Sequence, residues 1–246
     1  MTDVQWIDRG DGVRLACRIL PGEGPCLVFL PGYMSDMEGS KALALEAEAA
    51  RRGWAYLRFD YSGCGISEGD FAKGSIGRWT EDALAVIAAQ APGRRLILIG
   101  SSMGGWIMLH VALALKERVS GLVGIAAAPD FTRWGLAIDD GDRLSLAEKG
   151  YVERPSLYGD QPYRYWRALT EDAERRLLLD SDIAVACPVR LLQGQADPDV
   201  PWQTALRIAE RLHSDDVQTL LIKDGDHRLS RPQDIGLLFR VIGDLA

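Results

Sequence analysis

Histidine is scarce in this 246-residue chain, so histidine-based acid–base chemistry is confined to His110, His213 or His227. Cysteine is almost as thin. Cys17, Cys26, Cys64 and Cys187 lie scattered, without C-x-x-C or zinc-ligand spacing. That pattern predicts no metal site and no cofactor held through cysteine; it predicts reduced thiols in a cytoplasm rather than disulfides. Positive charge is also short: 28 Lys and Arg against 35 Asp and Glu leave a net −7, which argues against nucleic acid or an anionic membrane surface as the main partner. No apolar run approaches the roughly 18 residues of a membrane span. Met1 to Arg9 carries neither a signal-peptide core nor an Arg/Ser-rich transit pattern. Repeats, low-complexity tracts and interdomain linkers are missing, so residues 1–246 read as a single domain.

What the chain does have is rhythm. Val13 to Leu20 reads as an edge strand, and Cys26 to Leu30 is a continuous apolar run, as a strand covered on both faces should be. Ser40 caps a predicted helix over Lys41 to Arg52, closed by Gly53, before a strand from Trp54 to Phe59. A helix over Thr80 to Ala91, a strand from Leu96, an apolar helix and a strand over Val119 to Ile125 follow. The rhythm returns with Val189 to Gln193, a helix over Gln203 to Leu212, the strand Val217 to Ile222 and a closing helix over Asp234 to Leu245. Such alternation predicts the α/β class: a mostly parallel central sheet with helices on both faces.

Between Ala127 and Asp182 the rhythm breaks. Leu144 to Gly150 and Tyr165 to Leu179 look helical, separated by Pro155, Gly159 and Pro162. Trp134, Tyr151, Tyr158, Tyr163, Tyr165 and Trp166 are more aromatics than a solvated excursion would carry. A helical cap at about 129–182, over the strand ends where α/β sheets place their crevice, is the expectation.

One turn organises the rest. Leu96-Ile97-Leu98-Ile99 runs into Gly100-Ser101-Ser102-Met103-Gly104, which fits the nucleophile elbow G-x-S-x-G with Ser102 at its centre. The glycines let strand and helix pack closely around the turn, and the helix N-terminus points its N–H groups at the reacting atom. A serine hydroxyl needs a base, and the base needs an orienting group. His110 sits among apolar helix residues and His213 at a helix end, whereas His227 lies on a turn after a late strand and is the candidate base. The acid should fall between serine and histidine after a strand, which favours Asp197 over its rivals Asp199, Asp224 and Asp226. Two backbone amides for an oxyanion are expected from Met103, after the nucleophile, and from Tyr33, in the Pro31-Gly32-Tyr33 loop after Leu30. Asp60 is expected to tie down the Gly63-Cys64-Gly65 loop, and Asp199 to cap the helix starting near Trp202.

These features resemble the α/β-hydrolase superfamily over nearly the whole length. Leu30-Pro31-Gly32-Tyr33-Met34-Ser35-Asp36-Met37, Arg58-Phe59-Asp60-Tyr61-Ser62-Gly63, Gly100 to Trp106, Cys187-Pro188-Val189-Arg190-Leu191-Leu192 and Val200-Pro201-Trp202 more narrowly resemble the mitochondrial palmitoyl-protein thioesterase family. That family is also known for hydrolysing the acyl glucuronide of mycophenolic acid. The resemblance implies a Ser102–Asp197–His227 triad and a cofactor-free esterase or thioesterase acting on a small-molecule or acyl-protein substrate. The departures are a missing targeting extension and a cap that matches less well. Since the cap shapes the pocket, the acyl and leaving groups stay open, as does oligomeric state. Trp106, Trp134 and Trp202 are the aromatic candidates for holding an acyl chain, with core packing the competing role, strongest for Trp106. A peptidase, a perhydrolase or a non-catalytic small-ligand receptor on the same fold are the rival functions.

Overall fold

The computed structural model describes residues 2–156 and 161–246. Its strands are β1 (Gln5–Asp8), β2 (Arg14–Leu20), β3 (Glu23–Leu30), β4 (Trp54–Phe59), β5 (Leu96–Ser101), β6 (Val119–Ile125), β7 (Tyr151–Arg154), β8 (Tyr163–Trp166), β9 (Val189–Gly194) and β10 (Val217–Ile222). Its α-helices are α1 (Ser40–Arg52), α2 (Ile76–Gln90), α3 (Met103–Leu115), α4 (Phe131–Trp134), α5 (Asp140–Glu148), α6 (Arg167–Ala173), α7 (Gln203–Arg211) and α8 (Pro232–Gly243). Eight strands make one sheet in the order β1-β2-β4-β3-β5-β6-β9-β10, antiparallel at β1–β2–β4 and parallel from β4 to β10.

The continuous apolar strands follow from burial on both faces. Along β5, Leu96 and Leu98 enter one core while Ile97 and Ile99 enter the other; β3 splits Val28 and Leu30 from Leu27 and Phe29 in the same way. Leu45 of α1 and Leu238, Val241 and Ile242 of α8 cover one face, and Val86 of α2, Trp106 and Ile107 of α3 and Ile208 of α7 cover the other. The parallel strands therefore end together, and the loops after β3, β5, β9 and β10 meet at one edge.

Several local expectations change. The predicted edge strand at Val13 to Leu20 has β1 outside it; that four-residue strand is largely exposed and carries little apolar periodicity. Gly39, not Ser40, is the N-cap of α1, without a side-chain bond, while Gly53 closes it in the left-handed region at φ 72°. The stretch Tyr165 to Leu179 is only partly helical: Tyr163–Trp166 is a strand paired antiparallel with Tyr151–Arg154, and α6 follows it. Alternating aromatics bounded by Pro155 and Pro162 suit a hairpin better than a helix. Tyr158 and Gly159 lie outside the described residues. Asp130 fastens the start of this excursion to its end, accepting bonds from the Leu178 and Leu179 amides.

The elbow is held by backbone contact. A Cβ on Gly104 would lie 2.0 Å from the Leu30 carbonyl oxygen and 2.6 Å from that of Pro31. A Cβ on Gly100 would lie 2.5 Å from the Gly104 oxygen. Because the obstruction is main chain, Gly104→Ala is expected to cost about 3 kcal/mol, the upper end of ordinary overpacking. Thermal unfolding should then show a Tm roughly 6–12 °C lower; an unchanged Tm would contradict this packing.

Candidate active site

Ser102 sits between β5 and α3 at φ 54° and ψ −122°, a region that costs a non-glycine residue roughly 1–3 kcal/mol. The surroundings hold it there. Its N–H donates to the Ile125 carbonyl at 2.9 Å, and its own carbonyl accepts from Gly105 at 2.8 Å and Ala128 at 3.0 Å. Ser101, one position earlier, remains in the strand and is 8% exposed.

His227 lies beyond β10, and its Nε2 stands 3.1 Å from Ser102 Oγ. Its Nδ1 is 2.9 Å from Asp197 Oδ2, on the turn after β9. A carboxylate can only accept, so Nδ1 carries the proton and Nε2 presents its lone pair to the serine hydroxyl. The Asp197 side chain is wholly buried and that of His227 is 16% exposed. Burial by itself raises the Asp197 pKa. The hydrogen bond and charge of His227, with the Val200 and Asp199 amides, outweigh it and hold the carboxyl below its ordinary value. Asp197, Asp199 and His227 offer ligand atoms within 4.8 Å of one another, but two of the three already bond each other, so a metal there would have to break that pair.

The other candidates are held elsewhere. Asp224 pairs with Arg231, and Asp226 accepts from the Leu229 amide. Asp199 does not cap α7, whose N-cap is Trp202 without a side-chain bond. The His110 Nε2 contacts the Arg176 carbonyl at 3.0 Å, and burial lowers its pKa. His213 is exposed. Asp60 does tie the Gly63–Gly65 loop, accepting from the Ile66 amide at 2.9 Å, and it also holds the loop after β3 through the Met37 amide at 2.7 Å.

Gly32 brings that loop against the serine: a Cβ there would lie 3.3 Å from Ser102 Cβ. Tyr33 follows it, and Met103 is the first residue of α3, whose first-turn amides have no carbonyl partner within the helix. The Tyr33 ring stacks on Tyr165 with centroids 4.9 Å apart and an interplanar angle of 14°, and its hydroxyl donates to the Arg164 carbonyl. Burial raises the Tyr33 pKa.

Two cavities meet at Ser102, His227, Tyr33 and Tyr163. One, of about 290 Å³, is lined by Phe131, Trp134, Leu136, Pro155, Tyr165 and Val200. The other, of about 330 Å³, is polar, with Ser35, Ser40, Lys41, Arg228 and Ser230. Lys41 Nζ donates to the Arg228 carbonyl at 2.7 Å. Burial first, then the Arg228 charge, lowers its pKa to about 8, against the opposing pull of Asp226.

Of the three predicted tryptophans, Trp134 lines one of these two cavities and Trp106 and Trp202 line neither. Trp106 is in the core, 0% exposed, edge-on to Phe131 with Nε1 donating to the Arg176 carbonyl. Trp202 is half-buried at the start of α7. The aromatic lining residues that sequence reasoning did not single out include Phe131, Tyr163 and Tyr165. The i, i+2 spacing of the two tyrosines was the available signal, since it puts both on one face of a strand.

Comparison with known proteins shows the family and the fold. The chain matches the Alpha/beta hydrolase family over residues 27–235. It is 42% identical over 248 residues to the palmitoyl-protein thioesterase ABHD10, mitochondrial, of Bos taurus, covering 99% of this chain and 80% of that protein. Among solved structures it resembles a putative hydrolase from Agrobacterium vitis S4, with 44% identity, a TM-score of 0.93 and coverage of 100% of this chain and 98% of that one. It also resembles mouse alpha/beta hydrolase domain-containing protein 10, with 41% identity, a TM-score of 0.91 and coverage of 99% and 98%. The expected cytoplasmic location is not supported: the bovine, mouse and human relatives are all named mitochondrial. Scattered thiols separate reducing from oxidising compartments and carry no information on which reducing compartment it is.

Proposed function

The chain belongs to the α/β-hydrolase family and is a serine hydrolase; from that premise we propose that it hydrolyses carboxylic esters or thioesters through Ser102, His227 and Asp197. The observation that carries this is the hydrogen-bonded chain from Ser102 Oγ through the His227 ring to the buried Asp197 carboxylate, opening onto an aromatic cavity.

Ser102 Oγ attacks the acyl carbon while His227 Nε2 takes the hydroxyl proton. The carbonyl oxygen becomes an oxyanion and receives the Tyr33 and Met103 amides. Collapse breaks the bond to the alkoxide or thiolate, which leaves with the proton from Nε2. Water then attacks the acyl-serine, gives its proton to Nε2, and the free acid departs as Ser102 recovers its hydrogen. Asp197 fixes the ring and stabilises the imidazolium without itself taking the proton. No cofactor enters these steps.

The segment at about 129–182 acts as a cap, and the cavity lined by Phe131, Trp134 and Tyr165 holds the acyl group. The names of the bovine and mouse relatives as palmitoyl-protein thioesterases support a thioester substrate. A volume of about 290 Å³ is at the small end of the ~300–1,000 Å³ range of ligand pockets. Short and medium acyl groups fit within it, and longer chains run out past its rim. A panel of 4-nitrophenyl esters and N-acetylcysteamine thioesters, from acetyl to palmitoyl, is expected to be turned over with the highest kcat/KM at short to medium lengths. Peptide anilides should be cleaved little. Robust cleavage of unactivated peptide amides without ester turnover would overturn the reading.

A further inference from the structure

We propose that Gln193 is a positioning residue for the carboxylate that orients His227, an inference that rests on the Ser102–His227–Asp197 reading above. Gln193 lies next to the end of β9 and is wholly buried. Its Nε2 donates to Asp197 Oδ2 at 3.0 Å, to the Gly194 carbonyl at 3.2 Å and to the Val200 carbonyl at 3.2 Å. Asp197 Oδ2 is the same oxygen that accepts from His227 Nδ1. The other oxygen, Oδ1, accepts from the Asp199 and Val200 amides at 2.8 and 2.9 Å. The carboxylate thus has about the full set of donors that its lone pairs can take.

The far side of the amide shows why the residue is informative. Gln193 Oε1 is buried and has no hydrogen-bond partner among the described residues. Turning the amide over gives no relief, because Oε1 would then face three oxygens. A buried orphan carbonyl is destabilising, and an apolar side chain of the same shape would avoid that penalty. The orphan carbonyl offsets what the amide gains from the Gly194 and Val200 carbonyls, so what sets this side chain apart is the N–H aimed at Asp197.

That N–H has two effects on the reacting groups. Rotation of a carboxylate about its terminal torsion is soft, so bonds to both oxygens are needed to fix its plane and, through it, the imidazole ring. The Gln193 donor also shares the negative charge of Oδ2 with His227. Without it, Oδ2 is more basic and favours the imidazolium more strongly. The turns carrying acid and base are laced together at the same place: the Ala196 amide donates to the Gly225 carbonyl, and a Cβ on Gly194 would lie 2.2 Å from that oxygen.

The test is Gln193→Met, close in shape and lacking the donor, with Gln193→Leu as the second variant should methionine fail to fold. The measurements are the pH profile of kcat/KM, kcat and KM separately on one short acyl ester, and Tm, with Ser102→Ala run beside them. The expected result is a kcat lower by about 10- to 100-fold, the size of one hydrogen bond to a charged group. KM should stay within about twofold, and the acidic limb should move up by roughly half to one pH unit. Tm should change little, since removal of the orphan carbonyl offsets the lost bonds to the Gly194 and Val200 carbonyls. Wild-type kcat and an unmoved limb, beside an inactive Ser102→Ala, would overturn the role of Gln193 alone. A fall in kcat matched by a fall in Tm, with the limb unmoved, would overturn it too by reducing Gln193 to packing. An active Ser102→Ala would instead remove the underlying reading.

Discussion

Ser102→Ala is expected to lower kcat by on the order of 10⁶, the loss seen where a serine triad has been dissected, and to abolish labelling by a fluorophosphonate. The hydroxyl lies at the cavity junction, 3.1 Å from His227 Nε2. The backbone amides around it cannot form the acyl-enzyme in its place. Residual activity should come from oxyanion stabilisation and substrate binding alone. The fold should survive, because Ser102 is held through its backbone bonds to Ile125, Gly105 and Ala128. Ser101→Ala is the matched control. Its side chain belongs to the strand and makes no bond to His227, so a measurable fraction of both turnover and labelling should remain. Steady-state kinetics on an activated ester, with circular dichroism to verify folding, checks both variants. A near-normal rate in Ser102→Ala would refute the serine mechanism.

The second large effect is expected at Asp197. Asparagine there meets a conflict that the hydrogen-bond pattern makes explicit. With its amide NH2 in place of Oδ2, it faces the Gln193 donor and forces His227 into the tautomer with the proton on Nε2, where it cannot accept from Ser102. Turned the other way, the NH2 faces the Asp199 and Val200 amides. Both orientations set donor against donor. Asp197→Asn is therefore expected to lose roughly 10⁴ in kcat without global unfolding, as wrong-tautomer variants of such triads do. The same change at Asp199, Asp224 or Asp226 should cost far less, since none of these carboxylates is bonded to His227 Nδ1. Loss of activity at any of them comparable with that at Asp197 would show that the orienting acid has been misassigned.

What could be read from the sequence follows from how local each signal is. The elbow is local: glycines that must lie against backbone, a buried strand before them and an apolar helix after, all within a dozen residues. His227 and Asp197 follow from elimination and from their order after strands, and the structure sets His227 against Ser102 and Asp197 against His227. The central strands were legible because burial on both faces leaves long apolar runs. The excursion between β6 and β9 was not. Its strands are four residues long, and their pairing depends on residues about a dozen positions apart, so Tyr165 and Trp166 read in the sequence as the start of a helix. Tyr163, Tyr165 and Phe131 became cavity walls only through that folding, while Trp106, a plausible wall by composition, packs into the core. Lys41 reaches the cavity through a bond to a carbonyl 187 positions away. Gln193 is silent in the sequence, since nothing in a glutamine near the end of a strand says which carboxylate its amide will face.

The covalent intermediate gives the decisive observation. Wild-type protein treated with a fluorophosphonate, or quenched during turnover of a slow ester, can be digested and its adduct located by peptide mass spectrometry. A single adduct on Ser102, absent after prior treatment with a competing ester and absent in Ser102→Ala, is the predicted result. Turnover of esters with no adduct at Ser102, or with the adduct on another residue, would contradict it.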